Sequence, residues 1–303
     1  MKRKYMIIVL MAGALELTGC SQGTSNSAKN GTTGSENTII SESDIAILDT
    51  EDMFTERDRD TEYDESECTA ISLSDEETKC DSDGVKMDGQ TVTITEGGTY
   101  LLTGSLSNGS VVVDTDKTEK VQLILENVSI INEEGAGICV EQADKVFITL
   151  ADGSTNKIVS NSFTGNEDTN IDGAIFSRED LTLNGSGTLK ITSAAHGIVS
   201  KDDLVLTGGV YQIQSEKQGL SGKESVRIAD GTFTITSGTD AIHSEDTDED
   251  TKGFVYITGG VLTLAEFLLP MWCRQTEEAL IFLPAPQRQI PVRRESRHKS
   301  MSF

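Results

Sequence analysis

Apolar and polar positions alternate in short runs along residues 173–264, and the runs return at a fixed interval. In residues 196–218, HGIVSKDDLVLTGGVYQIQSEKQ, the segments GIV, LVL and YQI each put every second residue on one face. That is the periodicity of an extended strand. Residues 218–240, QGLSGKESVRIADGTFTITSGTD, repeat the arrangement with little identity. Three positions keep step: a small opener (Ala174, Gly197, Gly219, Ala241), a first apolar residue (Leu181, Leu204, Val226, Val255) and a second (Leu189, Tyr211, Phe233, Leu262). Steps of seven, seven and eight residues from Gly197 through Leu204 and Tyr211 to Gly219 make a period of 22. One extra residue sits in NGSG between Leu181 and Leu189, and seven extra, covering SEDTDED, lie between Ala241 and Val255.

Three strands per period, turned at corners such as TGG and ADG where glycine accepts the needed dihedrals, predict a three-sided coil. One coil cannot bury its apolar face alone, so coils must stack with strands about 4.8 Å apart. The expected fold is all-β, a right-handed parallel β-helix. Leu204, Leu206, Tyr211 and Ile213 should point inward and meet Val226, Ile228, Phe233 and Ile235 one coil on. Weaker copies (VQLILENVSI, KVFITLADGSTNKIVS, QTVTITEGGTYLLTGSLSNGSVVVD) extend the domain to about 84–264. The Val, Ile and Thr content and the shortness of the runs argue against helices. A β-sandwich is the main competitor, and the fixed period argues against it.

Charge sets the partners. The chain carries a net −25, and residues 42–83 hold seventeen Asp and Glu against three Lys and Arg. No basic patch occurs in 42–264, which excludes nucleic acid as an expected partner. Residues 1–20, MKRKYMIIVLMAGALELTGC, carry a net +2, and the chain without them stands at −27. Their basic start, short apolar run and small residues read as a secretory signal, too short for a membrane span. LTGC resembles the bacterial lipoprotein box, which makes Cys20 the expected lipidated residue. Membrane contact is then expected only through the lipid anchor, on the extracellular face of a bacterial membrane. Residues 21–83 read as a flexible acidic linker. Cys68 and Cys80 in it either pair or stay as thiols, and Cys139 in GICVE reads as structural.

Residues 265–303 break the pattern: they hold all four prolines and the single tryptophan, and none of the 28 glycines. Two readings stay open, a capping segment or a reading-frame shift near codon 265. The chain does not disclose its oligomeric state.

Stacking turns positions into columns. Glu179, Asp202, Glu224 and Asp246 should lie over one another, beside Arg178, Lys201, Lys223 and Glu245, with Asp180 and Asp203 adding to the acidic side. Like charges at that spacing repel by about 1 kcal/mol per pair in water. A neighbouring basic column, side-chain splay or a bound cation would offset this. Calcium takes six to eight oxygens. The expected donors are Asp240, Glu245, Asp246, Asp248 and Asp250 around SEDTDED, and Asp202, Asp203 and Glu224 on the column. A solvated acidic edge is the competing reading of the same residues. Arg178, Lys201 and Lys223 are the expected sugar-binding side chains. If the protein is a lyase acting by β-elimination, they are also the candidate bases; otherwise catalytic residues are absent. His196 and His243 read as isolated surface histidines. Tyr211 and Phe233 fall in the inward column, whereas Phe176 and Tyr256 are expected outside.

The segments DGAIFSREDLTLNGSGTLKITS, HGIVSKDDLVLTGGVYQIQS, GLSGKESVRIADGTFTITSGTDAI and DTDEDTKGFVYITGG resemble a family of bacterial surface lipoproteins, the carbohydrate-binding domain-containing proteins. The resemblance implies a β-helix related in shape to pectate lyases, polysaccharide as the partner, acidic plant-type glycans included, and calcium. It does not imply catalysis. Gly173, His196 and Gln218 stand where the family tends to carry Asp, and Asp240 keeps the carboxylate. The expected function is therefore a cell-surface protein that binds polysaccharide. A calcium-dependent uronan lyase and an adhesive protein without a sugar ligand are the alternatives.

Overall fold

Leu204 and Val226 lie side by side in parallel strands, with Leu206 beside Ile228 in the same register. This pairing defines the architecture of the computed structural model, a parallel β-solenoid. The structure describes residues 52–163, 170–247, 249 and 251–266, together with the backbone of Met6–Ile7. The expectations for the signal segment and Cys20, and for the tail beyond residue 266, fall outside the described residues.

Three ladders of strands form the three sides. The first includes Ile138–Gln142, Gly173–Ser177, His196–Ser200, Leu220–Gly222 and Ile242–Ser244. The second includes Lys120–Leu125, Lys145–Leu150, Asp180–Gly185, Asp203–Leu206, Ser225–Ile228 and Phe254–Ile257. The third includes Ser129–Asn132, Thr155–Ser160, Thr188–Ser193, Val210–Ser215, Thr232–Ser237 and Val261–Glu266. The long strand Gly98–Leu106 pairs with the second ladder through its first half and with the third through its end. Met6–Ile7 lies parallel to Phe254–Val255 at the far end of the second ladder.

The core follows from the alternation. Leu181, Leu204 and Val226 stack along the second ladder, and Leu189, Tyr211, Phe233 and Leu262 along the third. All except Leu262 are completely buried. The Tyr211 and Phe233 rings stack with centroids 4.9 Å apart and planes 5° from parallel. The extra residue in NGSG is absorbed at a corner: Gly185 has φ +96°, and a Cβ there would lie 2.2 Å from the Leu150 carbonyl oxygen. Only glycine fits both the dihedral and the space.

The segment expected as linker over 21–83 is described from residue 52, and it is folded against the solenoid. Thr69–Leu73 pairs in parallel with Gly98–Leu106 and buries Ile71 and Leu73. The short helix Glu56–Arg59 is capped by Thr55, whose hydroxyl accepts from the Asp58 amide while Asp58 accepts from the Thr55 amide. It lies across the outer face of the second ladder. Its charges look solvated in sequence, but they find partners on that face.

Phe176 and Tyr256 both sit on outer faces, as expected, yet neither is an open platform. Phe176 is fully buried in a small cluster with Ala136, Cys139 and Val199 outside the first ladder. The Tyr256 ring lies 6.0 Å from the Phe54 ring. Cys68, Cys80 and Cys139 are free thiols, and burial pushes the Cys139 thiol pKa up.

Candidate functional site

Four consecutive strands of the first ladder end with a serine or glycine: Ser177, Ser200, Gly222 and Ser244 share one register. The next residue in each coil is Arg178, Lys201, Lys223 or Glu245, and the one after is Glu179, Asp202, Glu224 or Asp246. The strands therefore deliver a basic and an acidic row to one corner of the solenoid.

Lys201 and Lys223 line a cleft of about 350 Å³, together with Asp172, His196, Gln218, Ser221, His243 and Glu245. Arg178 is not among its lining residues. Its Nε donates to Glu141 at 2.6 Å, and its guanidinium sits 5.5 Å above the Phe176 ring. Lys201 also lies over that ring, at 5.3 Å, and its ammonium is 3.4 Å from Asp172. The buried Phe176 thus acts as a cation–π floor.

The two histidines share this cleft rather than standing apart on the surface. The Gln218 backbone amide donates to His196 Nδ1 at 3.2 Å, which leaves the proton of a neutral ring on Nε2, facing Asp172 at 3.4 Å. Burial lowers the His196 pKa to about 4, against the opposing pull of Asp172. Its ring lone pair is spent on Gln218, so His196 orients Asp172 and is poorly set to take a substrate proton. His243 Nδ1 lies 3.0 Å from Asp240, and its Nε2 3.6 Å from Glu245. Sequence reasoning passed over His196, His243 and Asp172. The available signal was that His196 immediately precedes an opener and sits one coil before Gln218.

Part of the acidic side is held by cations of the chain. Asp203 pairs with Arg227 and accepts from the Ser225 hydroxyl at 2.5 Å. Glu224 is paired with Lys252, which also reaches Glu249 at 3.0 Å. Asp246 lies 3.7 Å from Lys223. Burial, with Asp180 and Glu224 close by, raises the Asp202 pKa to about 7. Burial likewise raises that of Asp180.

Among the described residues no group of three or more His, Cys, Asp or Glu is placed to hold a metal ion. The described carboxylates expected for calcium fit it poorly, because most face a lysine, arginine or histidine of the chain. Asp248 and Asp250 lie outside the described residues, so the expected SEDTDED set is only partly in view.

A stacked parallel solenoid carrying a polar cleft, in which two lysines stand among two carboxylates, two histidines and hydroxyl and amide neighbours, defines a repeat-built β-helix protein with a side-chain-lined binding surface. Residues 88–266 match the model of the carbohydrate-binding domain-containing protein family, and the chain belongs to that family. It is 42% identical over 186 residues to a carbohydrate-binding domain-containing protein of Acetivibrio thermocellus. That match covers 60% of this chain and 65% of the relative, so this chain spans less than two thirds of the relative's length. A solved structure, the polysaccharide lyase-like protein from C. thermocellum as a gadolinium derivative, superposes with a TM-score of 0.63 at 34% identity. The superposition covers 66% of this chain and 82% of that one.

Proposed function

We propose that the protein binds an acidic polysaccharide through the Lys201–Lys223 cleft, without catalysis, while tethered to the outer face of a bacterial membrane by lipid on Cys20. The observation that carries the reading is the placement of two lysines, one strand apart, on the rim of the cleft in a chain of a carbohydrate-binding family. Strand spacing sets the backbones of the two lysines about 4.8 Å apart, with the Lys201 ammonium by Asp172 and the Lys223 ammonium by Asp246. Each can donate up to three hydrogen bonds to carboxylate or hydroxyl oxygens. The Gln218 side-chain amide and the Ser221 hydroxyl add neutral partners among the lining residues. Asp172 holds the Lys201 ammonium at 3.4 Å and is itself faced by His196 Nε2.

The non-catalytic part of the reading is supported by His196, whose lone pair is already engaged by Gln218. Calcium has no part in this reading, because Asp203, Glu224 and Asp246 face cations of the chain.

The test is calorimetric titration of the full chain with oligogalacturonate, with neutral xylo-oligosaccharide as control, in calcium and in chelator. Binding of the acidic oligomer is expected in both buffers. Lys201→Ala and Lys223→Ala should each weaken it about tenfold, the size of one lost charged contact. Equal affinity for the neutral oligomer, or full retention by the double variant, would refute the cleft. Binding seen only with calcium would restore the calcium route. Unsaturated product absorbing in the ultraviolet would identify a lyase.

A further inference from the structure

The outer face of the second ladder is built from residues that ordinarily face water, yet it is covered. Gln122, Thr149, Thr182 and Asn184 are all buried there, next to Phe147. Three of them form a connected row. Gln122 Nε2 donates to Thr149 Oγ1 at 3.0 Å, and Thr149 Oγ1 donates to Asn184 Oδ1 at 2.7 Å. Lys145 stands at the edge, its ammonium 5.5 Å from the Phe147 ring centroid. An aromatic ring, two amides, two hydroxyls and an ammonium are the donor set and platform that a carboxylated sugar chain requires.

Residues 53–60 occupy this face, and their carboxylate and carbonyl contacts have counterparts in such a ligand. The Asp58 carboxylate is taken by Lys145 Nζ at 2.9 Å and by the Thr182 hydroxyl at 2.7 Å. The Asp58 carbonyl accepts from Thr207 Oγ1 at 2.6 Å, and the Asp60 carbonyl accepts from Asn184 Nδ2 at 2.9 Å. The flat Arg57 guanidinium lies 4.7 Å over Phe147, and its NH2 group donates to Gln122 at 2.7 Å.

We propose that this face is a second binding surface for a carboxylate-bearing glycan, and that residues 53–60 are its internal occupant, displaced by that ligand. The proposal extends the glycan-binding reading to a different side of the solenoid. Thr69–Leu73 is fastened into the sheet, so the displaced segment stays tethered nearby and competes at high effective concentration. The apparent affinity is then the intrinsic affinity reduced by the open fraction.

The test removes the cleft first, so that the two readings fail separately. In full-length chains carrying Lys201→Ala and Lys223→Ala, oligogalacturonate is titrated into three forms: segment 53–60 intact, segment 53–60 replaced by Gly and Ser, and the replaced form with Lys145→Met. The replaced form should bind at least about tenfold more tightly than the intact one, and Lys145→Met should abolish the gain. A folded replaced form with no gain, or a gain that survives Lys145→Met, overturns the proposal. If the replaced form fails to fold, amide exchange in the unmodified chain decides. The Thr55 and Asp58 amides, both hydrogen-bonded in the closed segment, should exchange faster with excess oligogalacturonate, and unchanged protection there overturns the proposal.

Discussion

The Thr182 hydroxyl donates a 2.7 Å hydrogen bond to the carboxylate of Asp58, 124 residues earlier in the chain. Asp58 is only 1% exposed, and the same oxygen faces Lys145 at 2.9 Å. Burial by itself would raise the Asp58 pKa, but the Thr182 bond and the Lys145 charge outweigh it and hold it below the ordinary value. Asp58→Ala should destabilise the fold by about 3 kcal/mol, because it strands Lys145 without its counterion. Adding Lys145→Met should recover part of that loss, which a double-mutant cycle by urea unfolding measures. Because the folded state binds this proton less tightly than the unfolded one, the carboxylate's contribution is present above its ordinary pKa of 3.8 and is lost as pH falls through the folded value.

Tyr211 presents the opposite case, a buried polar group that gains nothing. Its ring stacks on Phe233, while its hydroxyl finds no hydrogen-bond partner. Burial raises its pKa and keeps it neutral. Tyr211→Phe should leave the stack intact and stabilise the protein by about 1 kcal/mol, the cost of an unsatisfied hydroxyl. Denaturant midpoints at constant slope would show it.

Asp202 should dominate a pH response of the corner. Its folded pKa of about 7 lies above the ordinary 3.8. Its folded form therefore holds a proton that the unfolded form has released, and stability falls as pH rises between those two values. Asp202→Asn should flatten that slope and be the more stable chain at pH 8, with the advantage gone below the ordinary carboxylate pKa. His196 pulls the other way between about 4 and 6.5, so the comparison is made against the parent chain at each pH.

Gly185→Ala should be among the most damaging single substitutions in the domain. The new methyl would meet the Leu150 carbonyl at 2.2 Å on a backbone with φ +96°. Strain of this kind costs about 1–3 kcal/mol before the clash is counted. A thermal melt would register the loss.

The solenoid could be read from the sequence because its evidence is local and repeated. Leu204, Val226 and their partners alternate within each strand and recur coil after coil, so a single period determines who stacks on whom. The rows Arg178–Lys201–Lys223 and Glu179–Asp202–Glu224 followed from that same register. Their roles did not. Whether Arg178 lines a cleft or lies on Phe176 depends on where a side chain turns after it leaves the corner. The histidines were hidden because His196 and His243 lie in different coils, at non-equivalent positions, and meet only around one cleft. Residues 52–60 were misjudged for a physical reason. Their acidic composition matches a solvated linker, and the positions that receive them, Thr182 and Asn184, look like ordinary outward polar residues until Asp58 arrives.

The constant register has a further result for how such a chain can change. Leu181, Leu204 and Val226 are interchangeable seats in one column, so excising or copying a whole 22-residue cassette such as 197–218 joins like to like. The core would stay continuous while the lysine rim shortened or lengthened by one step. Reach along a polymer is thereby adjustable in whole increments, without redesign of anything inside.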